Sequence, residues 1–143
     1  MTDIEPSVHH LLAAYAAAVF AQDTSAVMRL YDPKARVFDM WGVWSYEDAA
    51  AWQQAVQGWL SSLGSEKVKV RFEDVRITGT PECAAVSAIV IYASFAADGT
   101  PLRDLHNRLS WVLRTRGHAL RIVHEHTSAP VGFEDKVALL KRP

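Results

Sequence analysis

At Gly64 the chain changes its hydrophobic period, and this change limits the folds open to it. Before it, apolar residues recur at helical spacing; after it, they alternate or run together as in strands. Val8, Leu11, Leu12, Tyr15 and Val19 form one helical stripe behind Pro6, a residue suited to a first turn. Asp23 is placed to cap a short second helix that buries Val27, Leu30 and Tyr31. Trp52, Val56, Trp59, Leu60 and Leu63 make the clearest stripe, with Ser45 as its expected cap and Gly64 as its end. Between the second and third helices, residues 36–42 read as a short strand running into a turn.

After Gly64, residues 67–78 alternate, with Val68, Val70 and Phe72 on one face. Val75 and Ile77 have the opposite parity, so a bulge is expected between the two sets. Gly79-Thr80-Pro81-Glu82 is a turn, and residues 84–96 are the nearly continuous apolar run of a central strand. Asp98-Gly99 marks the next turn, and residues 102–114 and 120–128 follow as strands joined at Arg116-Gly117-His118. The plan is α+β, with three N-terminal helices packed on a curved, mostly antiparallel sheet whose open end is a natural pocket. Residues 131–143 are expected to form a capping or interface tail, with Phe133, Val137, Leu139 and Leu140 available to pack.

A length of 143 residues suits one domain with a real core. The formal charge of −1 gives no reason to expect nucleic acid or an anionic membrane as partner. The lone Cys83 rules out an internal disulfide and a cysteine-based zinc site, and is expected to be a small buried residue. No segment is apolar and long enough to span a bilayer, and Met1-Thr2-Asp3-Ile4-Glu5-Pro6 lacks the features of a secretory leader. A cytoplasmic location is expected.

The polar residues of the last strands carry the functional expectation. His124, His126 and Ser128 share one face of a strand, and Glu125 and Thr127 share the other. If the last two strands pair around Gly117, Arg108 stands opposite His126 and Ser110 opposite His124. His106, Arg108, Ser110, His124, His126 and Ser128 are then expected to line a polar cavity, with Leu109, Trp111, Leu113 and Val123 on an outer, apolar face suited to an oligomer interface. The His-x-His pair lacks a nearby carboxylate at ligand spacing, and no metal is expected. Arg108 needs an anion, either a ligand carboxylate or an internal one from Asp39 or Asp104. Asp39, beside Trp41, is a candidate general base because an apolar setting disfavours its charged form. Tyr15, on the buried stripe, could donate its hydroxyl hydrogen to a substrate oxygen.

The order of elements, ending in Ile122-Val123-His124-Glu125-His126-Thr127-Ser128-Ala129-Pro130, resembles the NTF2-like superfamily, and within it the SnoaL-like and ketosteroid isomerase-related branches. The resemblance runs from about Pro6 to Pro130, and it implies a cone-shaped α+β barrel that dimerises through its outer sheet face. The ending also recurs in the association domain of calcium/calmodulin-dependent kinase II. Relative to the isomerase pattern, Tyr15 matches the first-helix tyrosine, and Asp39 matches the base through Leu30-Tyr31-Asp32-Pro33-Lys34-Ala35-Arg36-Val37-Phe38-Asp39. The isomerase's second acid has no counterpart in Leu105-His106-Asn107-Arg108, and Leu120 stands where the His-x-His branch has a tryptophan.

Three readings follow. The first is a proton-transfer enzyme of isomerase or lyase type acting next to a carbonyl, with catalytic Asp39 and Tyr15. His106, Arg108, His124, His126, Ser128 and Trp41 would contact the ligand, and no cofactor is needed. The second is a non-catalytic module holding a small anion through Arg108, His124 and His126. The third is an association domain, which ranks lower because the chain as read carries no attached catalytic domain. A small molecule and a second copy of the chain are the expected partners.

Overall fold

The computed structural model describes residues 3–143. Met1 and Thr2, part of the stretch read above for a leader, lie outside the described residues. Helix α1 (Glu5–Phe20) carries Pro6 in its first turn and buries Val8, Leu11, Leu12, Tyr15, Ala18 and Val19. Helix α2 (Thr24–Met28) is one short turn, and Asp23 caps it by accepting from the Ala26 N–H at 3.0 Å. Strand β1 (Tyr31–Phe38) begins well before the expected position, so Tyr31 and Leu30 follow the second helix rather than belonging to it. Helix α3 (Ala49–Ser62) comes after β1 and is capped by Asp48, whose carboxylate accepts from the Ala51 N–H at 2.9 Å. Ser45 is not the cap, because the loop from β1 is longer than the hydrophobic stripe implied. Among the described residues the helices number three, only two of which precede the first strand.

The remaining strands are β2 (Lys67–Thr80), β3 (Cys83–Phe95), β4 (Pro101–Arg116) and β5 (Ala119–Ser128). They form one five-stranded sheet in the order β1-β5-β4-β3-β2, antiparallel except for the parallel pair β1–β5. The expected bulge in β2 lies between Glu73 and Arg76, where Asp74 takes a left-handed φ of 53°. It lets Val68, Val70 and Phe72 and then Val75 and Ile77 all pack on the core despite their opposite parity. Gly79 opens the β2–β3 turn with φ +111°, and a Cβ there would lie 2.4 Å from the Cys83 carbonyl oxygen, so only glycine fits. Cys83 itself is exposed, because the strand start at this turn faces solvent.

A second bulge, between Val112 and Leu113 of β4, puts Val123 out of step on β5. Arg108 therefore pairs with Ser128, Ser110 with His126 and Val112 with His124, two residues from the expected register. The helices cover the face carrying Ala84, Val86 and Val90 of β3, Leu109, Trp111 and Leu113 of β4, and Ile122 of β5, all buried. Of the strip expected to lie outside, Leu109, Trp111 and Leu113 are thus core, while Val123, out of step at the bulge, is not. The chain beyond β5 folds back through a Val131–Ala138 bridge, and the Leu140 carbonyl accepts from the His106 N–H at 2.7 Å. The tail is thereby held against β4 at His106. Of its apolar residues only Leu140 is shielded; Phe133, Val137 and Leu139 remain exposed.

Candidate functional site

Between the helices and the covered face of the sheet lies a cavity of about 720 Å³. Its walls are aromatic: Tyr15 from α1, Tyr31 from β1, Trp52 and Trp59 from α3, and Tyr92 from β3. Trp59 meets Tyr92 edge-on at 5.7 Å, and Tyr15 meets Trp111 edge-on at 5.9 Å, so the rings hold one another in place. Trp41, Leu140 and the paired charges Lys141 and Asp104 stand on the same lining. Arg103 is also there and is engaged by Glu66 at 2.8 Å.

Asp39 lines this cavity, at the point where β1 gives way to the loop. Its Oδ1 accepts from the Thr127 hydroxyl at 3.1 Å. That hydroxyl in turn accepts from the Met40 N–H at 2.9 Å, so its only hydrogen is committed to Asp39. Burial pushes the Asp39 carboxyl above its ordinary value, while hydrogen bonds from Thr127 and the backbone pull the other way. Tyr15 shares one hydrogen bond of 2.9 Å with Tyr92. Two hydroxyls sharing one bond leave one hydroxyl hydrogen free for another acceptor. Burial raises both phenols, so they stay neutral donors.

Glu125 is the residue that sequence reasoning missed. It lies on the inner face of β5, only 3 % exposed, and lines the cavity. Its Oε1 accepts from the Tyr31 hydroxyl at 2.6 Å and from the Trp111 indole N–H at 2.8 Å. Burial pushes it up to about 7, with the two hydrogen bonds opposing and the Asp39 charge adding to the rise. Thr127 is on the same face, and so is Asn107 across on β4, whose Oδ1 is buried without a partner.

Of the expected site residues, Asp39, Tyr15 and Trp41 come together on the cavity. His106, Arg108, Ser110, His124, His126 and Ser128 do not: they share the opposite, outer face of the sheet. There His124 and His126 meet Phe38 edge-on at 5.0 and 5.5 Å, and His124 Nδ1 bonds the Arg36 carbonyl at 2.8 Å. Arg108 donates to the Ser128 hydroxyl at 3.0 Å, so neither Asp39 nor Asp104 is its partner. The physical reason is burial: Leu109, Trp111 and Leu113 demand the core face, and their cross-strand mates Thr127, Glu125 and Ile122 go with them. That phase was readable from β4 alone. Among the described residues, no three of His, Cys, Asp and Glu stand close enough together to hold a metal ion, and no helix is long and apolar enough to cross a membrane.

Residues 8–132 match the SnoaL-like domain. No curated protein matches the chain. Solved structures share the fold at low identity. An NTF2-like protein of unknown function from Pseudomonas putida KT2440 is 16% identical, with 97% of this chain and 95% of that one covered and a TM-score of 0.83. Aln2 from a Streptomyces species is 10% identical over 90% and 91% of the two chains, with a TM-score of 0.78. A candidate scytalone dehydratase from Novosphingobium aromaticivorans is 8% identical over 88% and 83%, with a TM-score of 0.74.

Proposed function

Because this chain belongs to the SnoaL-like domain family of the NTF2-like superfamily, we propose that it transfers a proton next to the carbonyl of a small, largely apolar molecule, an isomerase- or lyase-type reaction. The observation that carries this reading is Asp39, a carboxylate fixed by Thr127 at the wall of an aromatic cavity. Its oxygens are the natural base for a carbon acid, because partial burial strengthens a carboxylate as a proton acceptor. The Tyr15–Tyr92 pair supplies the hydroxyl hydrogen that stabilises charge developing on the carbonyl oxygen. A volume of about 720 Å³ suits a molecule of two or three fused rings. The relation to a candidate dehydratase is consistent with such chemistry. A small-anion reading draws no support from this cavity, since Arg108 lies on the other side of the sheet.

The test uses 2-tetralone, a flat bicyclic ketone, in deuterium oxide. The protein accelerates exchange of its α-protons, followed by proton NMR, and Asp39→Asn abolishes the acceleration. Asparagine keeps the acceptor for Thr127, so the fold is preserved. Equal exchange with wild type and variant refutes the base.

A further inference from the structure

We propose that Glu125 is the proton donor opposite Asp39, passing the hydrogen on its Oε2 to the oxygen of a neutral carbonyl compound bound in the cavity. This rests on the proposed proton transfer and assigns it a second acid–base group. The geometry fixes which oxygen carries the hydrogen. Oε1 already accepts from two donors, Tyr31 at 2.6 Å and Trp111 at 2.8 Å, so a proton on the carboxyl sits on Oε2. Glu125 lines the cavity, and Oε2 is therefore the oxygen left to serve it. Thr127, which tethers Asp39, is the next inner-face residue along β5, a step of roughly 7 Å. Through Thr127, Asp39 and Glu125 are thus set along one wall of the same cavity, where one bound molecule can reach both.

The titratable groups facing Glu125 are Tyr31 of β1, Tyr15 of α1, Tyr92 of β3 and Asp39, all of them acids. The cations on the cavity lining, Arg103 and Lys141, are engaged by Glu66 and Asp104. Nothing in that set favours the carboxylate form of Glu125 except its two hydrogen bonds, and burial carries its midpoint to about 7. The neutral acid is the form that binds.

The step balances. Asp39 takes the α-proton, and the C–H electron pair becomes the carbon–carbon double bond. The carbonyl π pair takes the Glu125 proton, giving an enol, a neutral Asp39 and an ionised Glu125. Reprotonation of carbon by Asp39 and return of the hydroxyl proton to Glu125 restore both groups. Glutamine at 125 keeps an acceptor for Tyr31 and Trp111 and presents an N–H to the cavity, but it cannot give up a proton.

Binding of 2-tetralone, read by quenching of the cavity tryptophans, tests this. In wild type the apparent Kd rises about tenfold from pH 6 to pH 8, because the competent, protonated fraction falls by that factor. Glu125→Gln binds equally at both pH values yet exchanges α-protons much more slowly at pH 6. Wild-type binding that is flat with pH overturns the proposal, as does failure to bind at pH 6. Exchange lost in Asp39→Asn but intact in Glu125→Gln overturns Glu125 as donor and leaves the base standing; exchange intact in both removes the base as well. A carboxylic-acid infrared band present in wild type at pH 6 and missing from Glu125→Gln gives support independent of any ligand, and its absence from wild type counts against it.

Discussion

Replacing Glu125 by glutamine should make the folded state gain on wild type as the pH rises. In the folded chain the carboxyl is raised from 4.5 to about 7, which at 1.36 kcal/mol per pH unit amounts to about 3 kcal/mol. The residue is 3 % exposed, so solvent screening does little to reduce that figure. Between pH 4.5 and 7 the folded protein keeps a proton that the unfolded chain has released. Stability from this group is therefore complete below pH 4.5, declines as pH rises, and is fully lost above about 7. Asp39, also raised, acts in the same direction; it is common to both proteins and cancels in the difference except for its charge coupling to Glu125. Urea unfolding of wild type and Glu125→Gln at pH 4.5 and pH 8 measures it. The variant's stability relative to wild type improves by about 3 kcal/mol across that interval. A difference that stays constant with pH refutes the burial argument, because it means that Glu125 titrates alike in the folded and unfolded chain.

Other outcomes follow from single contacts. Thr127→Val removes the hydroxyl that lowers Asp39, so the acid limb of tetralone exchange moves to higher pH, and stability falls by about 1 kcal/mol in urea unfolding. Asp48→Ala costs about 1 kcal/mol while Ser45→Ala costs nothing measurable, since only Asp48 caps α3. Gly79→Ala destabilises the β2–β3 hairpin by more than about 1 kcal/mol, because its Cβ would meet the Cys83 carbonyl; thermal unfolding reads the loss.

The fold was legible where hydrophobic period and turn chemistry agreed. The switch at Gly64, the Asp23 cap, the β2 bulge and the three hairpin turns all appear where the residues demand them. β1 was harder: Pro33 and Lys34 interrupt the alternation, and the burial of Tyr31 and Asp32 depends on partners far along the chain. Asp32 is held there by Arg116 at 2.7 Å, a contact between residues 84 apart.

The site was legible only in part. Asp39 and Tyr15 lie on elements whose apolar neighbours mark the inner side, and they reach the cavity. The histidines misled because two imidazoles and a hydroxyl in phase resemble a cavity wall, whereas the aliphatic phase of β4 decides which way β5 faces. Glu125 was hidden for the converse reason. Once the histidine face is taken for the cavity wall, Glu125 on the opposite face falls outside it, and its burial is made tolerable by a phenol and an indole from β1 and β4 that no local pattern announces.

The proposed chemistry sits on the inner face of the sheet, with Asp39 as base. Exchange of 2-tetralone α-protons by Asp39→Asn, measured beside a double variant with His124→Ala and His126→Ala, tests it most directly. With Asp39 as base, exchange is abolished in the first protein and retained in the second. Exchange retained in Asp39→Asn and lost with the histidines would contradict it.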